Sequence, residues 1–127
     1  MKRRVSLGLL GLAGIAAGVV AATSLRAQGG QAPAYVVVEV HVNDAAAYNA
    51  YLPKAKATFV AAGARYLARG GKIVAVEGTP PERAVLLEFP SLEQAQTFFS
   101  SQGWKDLTAA RDDSATVREY VVEGLTP

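Results

Sequence analysis

Tyr35-Val-Val-Val-Glu-Val-His-Val42 is the stretch of sequence that decides the fold. Its β-branched residues and its short length favour a strand over a helix. Successive side chains of a strand point to opposite faces, and the even-numbered residues here are all valines. We expect this valine face to pack against helices. The opposite face carries Tyr35, Val37, Glu39 and His41.

The sequence after this strand predicts a helix and a second strand. Asp44 can cap a helix whose apolar residues recur every three or four positions up to Gly63. Pro53 lies within that helix and indicates either a kink or the first residue of a second helical piece. Residues 64–77 are predicted as a strand interrupted at Gly70-Gly71, where paired glycines suggest a bulge or a close backbone approach.

The second half of the chain predicts two more strands and further helices. A third strand spans residues 83–89, and Ser91 caps the helix that follows it. A last helix runs from Trp104 to about Asp112, and residues 116–123 form the final strand. The order β-α-β-β-α-β is typical of a ferredoxin-like α+β sandwich, an antiparallel sheet with helices on one face.

The face of the sheet without helices is predicted to be too apolar for plain solvent. It carries Tyr35, Val37, Leu86 or Leu87, and part of the last strand. We expect a homodimer in which two such sheets face each other and close a barrel.

The first 27 residues have the layout of an export signal. Basic residues at positions 2–4 precede an uncharged apolar stretch over residues 5–22, and Ser24-Leu25-Arg26-Ala27 then provides small residues for a cleavage point. We predict cleavage after Ala27, with Ser24 as the alternative, and a membrane anchor if the segment stays uncleaved. Residues 28–33 are then a flexible leader and residues 34–125 the domain. The protein is predicted to be exported, periplasmic or secreted, with no membrane contact after cleavage.

The export route and the charge balance follow from the same segment. Arg3-Arg4 is followed by Ser6-Leu7, a partial twin-arginine pattern, so general secretion is favoured. Four of the 13 basic residues lie in the segment, which leaves nine basic and 11 acidic residues and a net charge of −2. The remaining basic residues are scattered, so no nucleic-acid partner is expected. The absence of Cys excludes a disulfide, a Cys nucleophile and a thiolate zinc site.

A set of short motifs runs through the domain in a characteristic order. They are Tyr35-Val, the helix start with Asn43-Asp44, Tyr48 and Tyr51, Arg69-Gly70-Gly71, Glu77-Gly78, Glu88-Phe89-Pro90-Ser91 and Arg111. In these residues the sequence resembles the family designated domain of unknown function 1330, of the dimeric α/β-barrel superfamily, over about residues 34–124. The resemblance implies the ferredoxin-like fold and a homodimer but no reaction, because sister families include cofactor-free oxygenases and isomerases.

The lumen of the predicted barrel is the expected place for chemistry. Strand parity directs Glu39, His41 and Glu88 into it, and Arg69 on a neighbouring strand is expected to reach the same space. One hypothesis makes His41 a general acid or base oriented by Glu39 or Glu88, with Arg69 holding an anionic molecule. The alternative is that Glu88–Arg69 and Glu39–Arg118 are cross-strand ion pairs, with His41 at a solvated strand end.

Three further residues are candidates for ligand contact. Tyr48 and Tyr51 can offer hydroxyl groups near the mouth of the lumen, although Tyr48 also fits the core stripe of its helix. Arg111 can bind an anion or make an ion pair near its helix end. No metal is predicted, because one His with Glu39 and Glu88 is a thin ligand set. No cofactor is expected.

These residues predict an exported small-molecule-handling protein, and they do not choose its chemistry. One form is a cofactor-independent oxygenase- or isomerase-like enzyme that acts on a small anionic or aromatic ligand. The alternative is a non-catalytic dimeric ligand-binding or interaction module of the cell envelope. Space for a ligand in the lumen would favour the ligand-handling forms.

Overall fold

The valine-rich stretch forms β1 (Ala34–Val42), and six elements follow it in a computed structural model that describes residues 30–127. They are α1 (Ala45–Ala61), β2 (Arg65–Arg69), β3 (Arg83–Phe89), α2 (Leu92–Phe99), α3 (Gln102–Arg111) and β4 (Ala115–Glu123). The predicted export signal over residues 1–27 and the first two residues of the leader lie outside the described residues. Within residues 30–127, no helix is both long enough and apolar enough to cross a membrane.

The four strands form one antiparallel sheet in the order β2-β3-β1-β4. This arrangement confirms the predicted ferredoxin-like fold. The third helix, α3, lies between α2 and β4 in the chain and gives the full order β-α-β-β-α-α-β. The valine-rich β1 lies inside the sheet and pairs with β3 on one side and β4 on the other.

The core lies between the sheet and the helices. The valine face of β1 and the apolar face of β3 are buried as predicted, and Val36, Leu87 and Phe89 are almost completely inaccessible. Phe59 of α1 packs on Phe98 of α2 with ring centroids 5.0 Å apart. Trp104 of α3 stands edge-on to Phe99 at 4.8 Å. These aromatic contacts join all three helices over the same side of the sheet.

Side-chain caps set the start of each helix. The carboxylate of Asp44 accepts a hydrogen bond from the Ala47 amide at 3.1 Å, and the Ser91 hydroxyl accepts one from the Gln94 amide at the same distance. Ser101 caps α3 in the same way. Both predicted caps, Asp44 and Ser91, are confirmed. Pro53 lies inside α1, which is continuous from Ala45 to Ala61, so no second helical piece begins there.

The second strand is shorter than predicted. The chain leaves the sheet after Arg69, because Gly70 adopts a φ of +67°, a left-handed conformation that does not continue a strand. The irregular segment that follows extends to β3. The predicted bulge is not at the glycines: it lies between Tyr66 and Ala68. Gly70 instead permits a close approach, since a Cβ there would lie 2.6 Å from Cζ of Arg83.

Candidate functional site

One row of residues crosses the helix-facing side of the sheet and has a charged residue at each end. The strand registers pair Arg69 with Val85, Val85 with Val38, and Val38 with Glu119. The row therefore runs across all four strands, with two buried valines between an arginine and a glutamate. Three strand spacings separate the backbones of Arg69 and Glu119 by roughly 14 Å. Charged residues in such a row are unexpected, because the rows on either side of it are largely apolar.

The bulge in β2 is the reason that Arg69 belongs to this row. Arg65 pairs with Glu88 on the open face of the sheet, and simple alternation would place Arg69 on that face as well. The extra residue at Leu67 shifts the alternation by one position, so Arg69 faces the helices. The prediction that Arg69 reaches the open face with Glu39, His41 and Glu88 is therefore wrong.

A cavity lies above this row, between the sheet and α1. Arg69, Glu119, Tyr48, Tyr51 and Arg111 supply its polar groups, and aliphatic and aromatic core residues line the rest. Tyr48 and Tyr51 lie on the buried face of α1, with ring centroids 5.7 Å apart. The cavity has an accessible volume of about 30 Å³, which is room for about two water molecules.

Arg111 is held at the β4 end of the cavity by its surroundings. Its side chain is only 13% exposed, and its guanidinium carbon lies 5.6 Å from the centre of the Trp104 ring. The nearest carboxylate contact is a long one of 3.9 Å to Asp112. The buried Nε of Arg111 has no hydrogen-bond partner. A buried donor without a partner is costly, so this atom is available to an acceptor that enters the cavity.

The carboxyl group of Glu119 shares that end of the cavity with Arg111. Burial raises the pKa of Glu119 to about 7, although the positive charge of Arg111 opposes the increase. Burial also raises the pKa of Tyr51 to about 12, again against the effect of Arg111. Tyr51 is therefore a neutral hydrogen-bonding group at physiological pH, whereas Glu119 exists in both protonation states.

Two more arginines carry positive charge near the cavity. The guanidinium carbon of Arg69 lies 5.1 Å from the centre of the Tyr66 ring at the β2 edge, and that of Arg83 lies 5.6 Å from the Tyr48 ring. The Nε of Arg83 is buried without a hydrogen-bond partner, like that of Arg111. The positive charges around Tyr48 and Tyr51 exceed the single carboxyl of Glu119, so the arrangement favours an anion.

The other predicted site residues lie on the open face, each in its own ion pair. Glu39 contacts Arg118 at 2.6 Å, which confirms that predicted pair. Glu88 contacts Arg65 at 2.7 Å, so the predicted Glu88–Arg69 pair is wrong.

His41 Nδ1 lies 2.7 Å from Glu82, and the histidine side chain is 67% exposed. Glu39 is opposite Ala84, four residues before Glu88 on β3, so Glu39 and Glu88 are about 13 Å apart along the strands. The structure therefore does not bring His41, Glu39, Glu88 and Arg69 together, and the catalytic role of His41 stays a prediction. Over residues 30–127, no cluster of three His, Asp or Glu side chains could hold a metal ion.

Glu119 is the functional candidate that the sequence analysis missed. Glu119 lies between Val117 and Val121 in the alternating pattern of β4. The side chains of all three residues face the helices. A charged residue among the apolar residues of one strand face is unusual. Strand alternation in the sequence would have been enough to identify it. The position of Arg69 carried no such signal, because the bulge that reorients it is set by pairing with β3.

The fold recurs in solved structures of low sequence identity. The protein of unknown function RPA0582 from Rhodopseudomonas palustris is 17% identical, with a TM-score of 0.60 over 82% of this chain and 94% of its own. SnoaB, a cofactor-independent oxygenase from Streptomyces nogalater, is 9% identical, with a TM-score of 0.56 over 76% of this chain and 96% of its own. At these identities the similarity shows the fold alone.

The sequence itself matches one described family. No curated protein matches the chain. The family model described as "Domain of unknown function (DUF1330)" matches residues 33–125, which include every strand and helix described above. This chain therefore belongs to the DUF1330 family.

Proposed function

We propose that the protein binds the acidic group of a small organic anion in the cavity between the sheet and α1, and that Glu119 exchanges a proton there. The observation that carries the proposal is the buried guanidinium of Arg111 beside the carboxyl of Glu119 in one cavity. A guanidinium group suits a carboxylate or an enolate, and its free Nε can donate to either. A carboxyl with a pKa of about 7 can both give and accept a proton near neutral pH.

The catalytic form of this proposal is a cofactor-independent enzyme of the oxygenase or isomerase type. The fold shared with SnoaB, a cofactor-independent oxygenase, supports it. Arg111 would stabilise negative charge that develops on the ligand, Tyr51 would donate a hydrogen bond, and Glu119 would move the proton. Binding without turnover in the cell envelope is the alternative. Both forms use the same binding groups of the cavity. Only the catalytic form also requires Glu119 to transfer a proton.

Export and dimerisation complete the proposal. The basic, apolar and small-residue layout of residues 1–27 supports export to the periplasm or beyond. Tyr35, Leu86, Tyr120 and Val122 are all more than a third exposed on the open face of the sheet, which supports a homodimer through that face. The cavity would then lie on the outer, helix-covered side of each protomer.

The direct test is calorimetric titration of the protein with benzoate and with benzamide, its uncharged isostere. We expect benzoate to bind and benzamide to bind at least tenfold more weakly. Arg111→Gln is expected to weaken benzoate binding at least tenfold, because a charge-assisted hydrogen bond is lost. Binding at pH 7 is also expected to take up protons, since an anion beside Glu119 favours its protonated form.

Arg118→Gln is the matched control for this experiment. Arg118 is an arginine on β4 beside Glu119, but its side chain is on the open face and pairs with Glu39. It should leave benzoate binding unchanged. Equal losses in the Arg111 and Arg118 variants, or equal affinity for benzoate and benzamide, would contradict an anion site at Arg111.

A further inference from the structure

A second, larger recess lies directly beside the cavity, between α2 and the edge strand β4. It is an open groove with an accessible volume of about 570 Å³, whereas the accessible volume of the cavity is about 30 Å³. Its walls are mainly apolar and aromatic. They include Leu92, Phe99, Trp104, Tyr120 and Val121, with Gln96 at the α2 side. A groove of this size and composition accommodates a ring or an alkyl chain.

The groove and the cavity meet at a shared wall. Glu119 lines both of them. Trp104 lines the groove, and its ring packs against the guanidinium of Arg111, which lines the cavity. A molecule that reaches Arg111 from the groove would therefore pass Glu119 and the edge of Trp104. The apolar recess and the anion-binding groups therefore adjoin each other at Glu119.

The two volumes assign different parts of a ligand to the two compartments. The cavity has space for about two water molecules, which is the size of a carboxylate group and too small for a ring. The groove is large enough for a ring or a chain but has no arginine in its wall. We propose that the ligand is an aryl or alkyl carboxylate, with its carboxylate in the cavity on Arg111 and its apolar body in the groove. This inference rests on the proposed function.

Two other surface recesses do not fit the apolar body. The recess lined by Ala62, Gln94 and Thr97 shares no residue with the cavity. The recess beside His41 is bordered by Glu39, Glu82 and Arg118, whose charges would be desolvated by an apolar group. The groove along β4 is therefore the compartment that suits the body of the ligand.

The test is a chain-length series of straight-chain carboxylates, butanoate, hexanoate and octanoate, titrated into the protein. Each methylene buried in the groove is expected to strengthen binding by about three- to fourfold. Octanoate should therefore bind at least tenfold more tightly than butanoate. Octan-1-ol, which lacks the carboxylate, should bind at least tenfold more weakly than octanoate. Equal affinity for octanol and octanoate would show that the groove acts without Arg111, and the two-part site would be wrong.

Gln96→Trp tests the groove directly, and Gln94→Trp is its matched control. Both glutamines are exposed on α2, but Gln96 lines the groove and Gln94 lines a different recess. Gln96→Trp should fill the groove and remove most of the advantage of octanoate, so octanoate should lose at least tenfold more affinity than butanoate. Gln94→Trp should change neither affinity. An equal loss of butanoate and octanoate in the Gln96 variant would overturn the inference.

The outcomes for the two proposals are distinct. If butanoate and octanoate bind equally and both depend on Arg111, the anion site stands and the groove assignment fails. If no carboxylate depends on Arg111, the proposed function itself fails. The titration of the carboxylate series into the wild-type protein uses no substitution. Its result therefore does not depend on whether a variant folds. Far-UV circular dichroism and the unfolding midpoint of each variant report its folding.

Discussion

The carboxyl group of Glu119 shows how one residue can give a small domain a pH-dependent site. It lies at the β4 end of a row whose two central residues are buried valines, and the loss of hydration there raises its pKa from 4.5 to about 7. Arg111 attracts the carboxylate and limits the shift but does not cancel it. Protonation of Glu119 removes a negative charge from beside Arg111. An incoming anion therefore meets a more positive cavity at mildly acidic pH.

The same shift makes the free energy of unfolding depend on pH. Below pH 4.5 Glu119 is protonated in the folded and the unfolded chain, so its carboxyl group carries no charge in either state. Between pH 4.5 and about 7 the unfolded chain releases its proton while the folded chain retains it. Stability therefore falls as pH rises through this window, by up to about 3 kcal/mol. Glu119→Gln removes that loss, so we expect the variant to exceed wild type in stability at pH 8 and to match it near pH 4.5.

Urea unfolding at the two pH values measures this difference. Glu123→Gln is the control, because Glu123 is on the same strand but exposed. It should change the stability by less than about 0.5 kcal/mol at either pH. A Glu119→Gln effect of the same size at pH 4.5 and pH 8 would mean that the carboxyl titrates normally in the folded protein.

At the scale of elements, strand periodicity explains which parts of the structure the sequence predicts. β1 and β3 alternate without interruption, so parity predicts which of their residues are buried. β2 has only five residues, two of them arginines, and its bulge depends on the partner strand. The predicted placement of Arg69 on the same face as His41 is wrong for this reason. A single unpaired residue moved Arg69 to the helix side.

Helix α1 carries the two tyrosines of the cavity and contains a proline in its middle. Pro53 has no N–H, so the carbonyl of Asn49 lacks its usual intrahelical donor. We expect Pro53→Ala to raise the free energy of unfolding by about 1–3 kcal/mol, since alanine restores that bond and is the better helix former.

Chemical denaturation measures the effect of Pro53→Ala, with Lys54→Ala as the control at the next exposed position. The control should change the free energy of unfolding by less than about 0.5 kcal/mol. Lower stability for Pro53→Ala would mean that the proline geometry is required to seat Tyr51 and Ala55 in the core.

At the scale of the whole molecule, the open face of the sheet has an apolar centre between charged rows. The strand registers align Ala68, Leu86, Val37 and Tyr120 in one row across all four strands. The Arg65–Glu88 pair lies on one side of this row and the Glu39–Arg118 pair on the other. An apolar centre with a charged border is typical of a protein interface. This face is on the opposite side of the sheet from the cavity.

That separation gives the last prediction, which concerns the relation between the dimer and the site. We expect the protein to be a dimer by light scattering and Tyr35→Glu/Leu86→Glu to be a monomer, because four buried carboxylates would face each other in the pair. Val74→Glu/Val76→Glu is the control, since both valines are exposed in the segment between β2 and β3. It should remain a dimer. The monomeric variant should bind benzoate as wild type does, because Arg111 and Glu119 are on the helix side of one protomer. Loss of benzoate binding in a folded monomer would instead place the site in the lumen between the sheets.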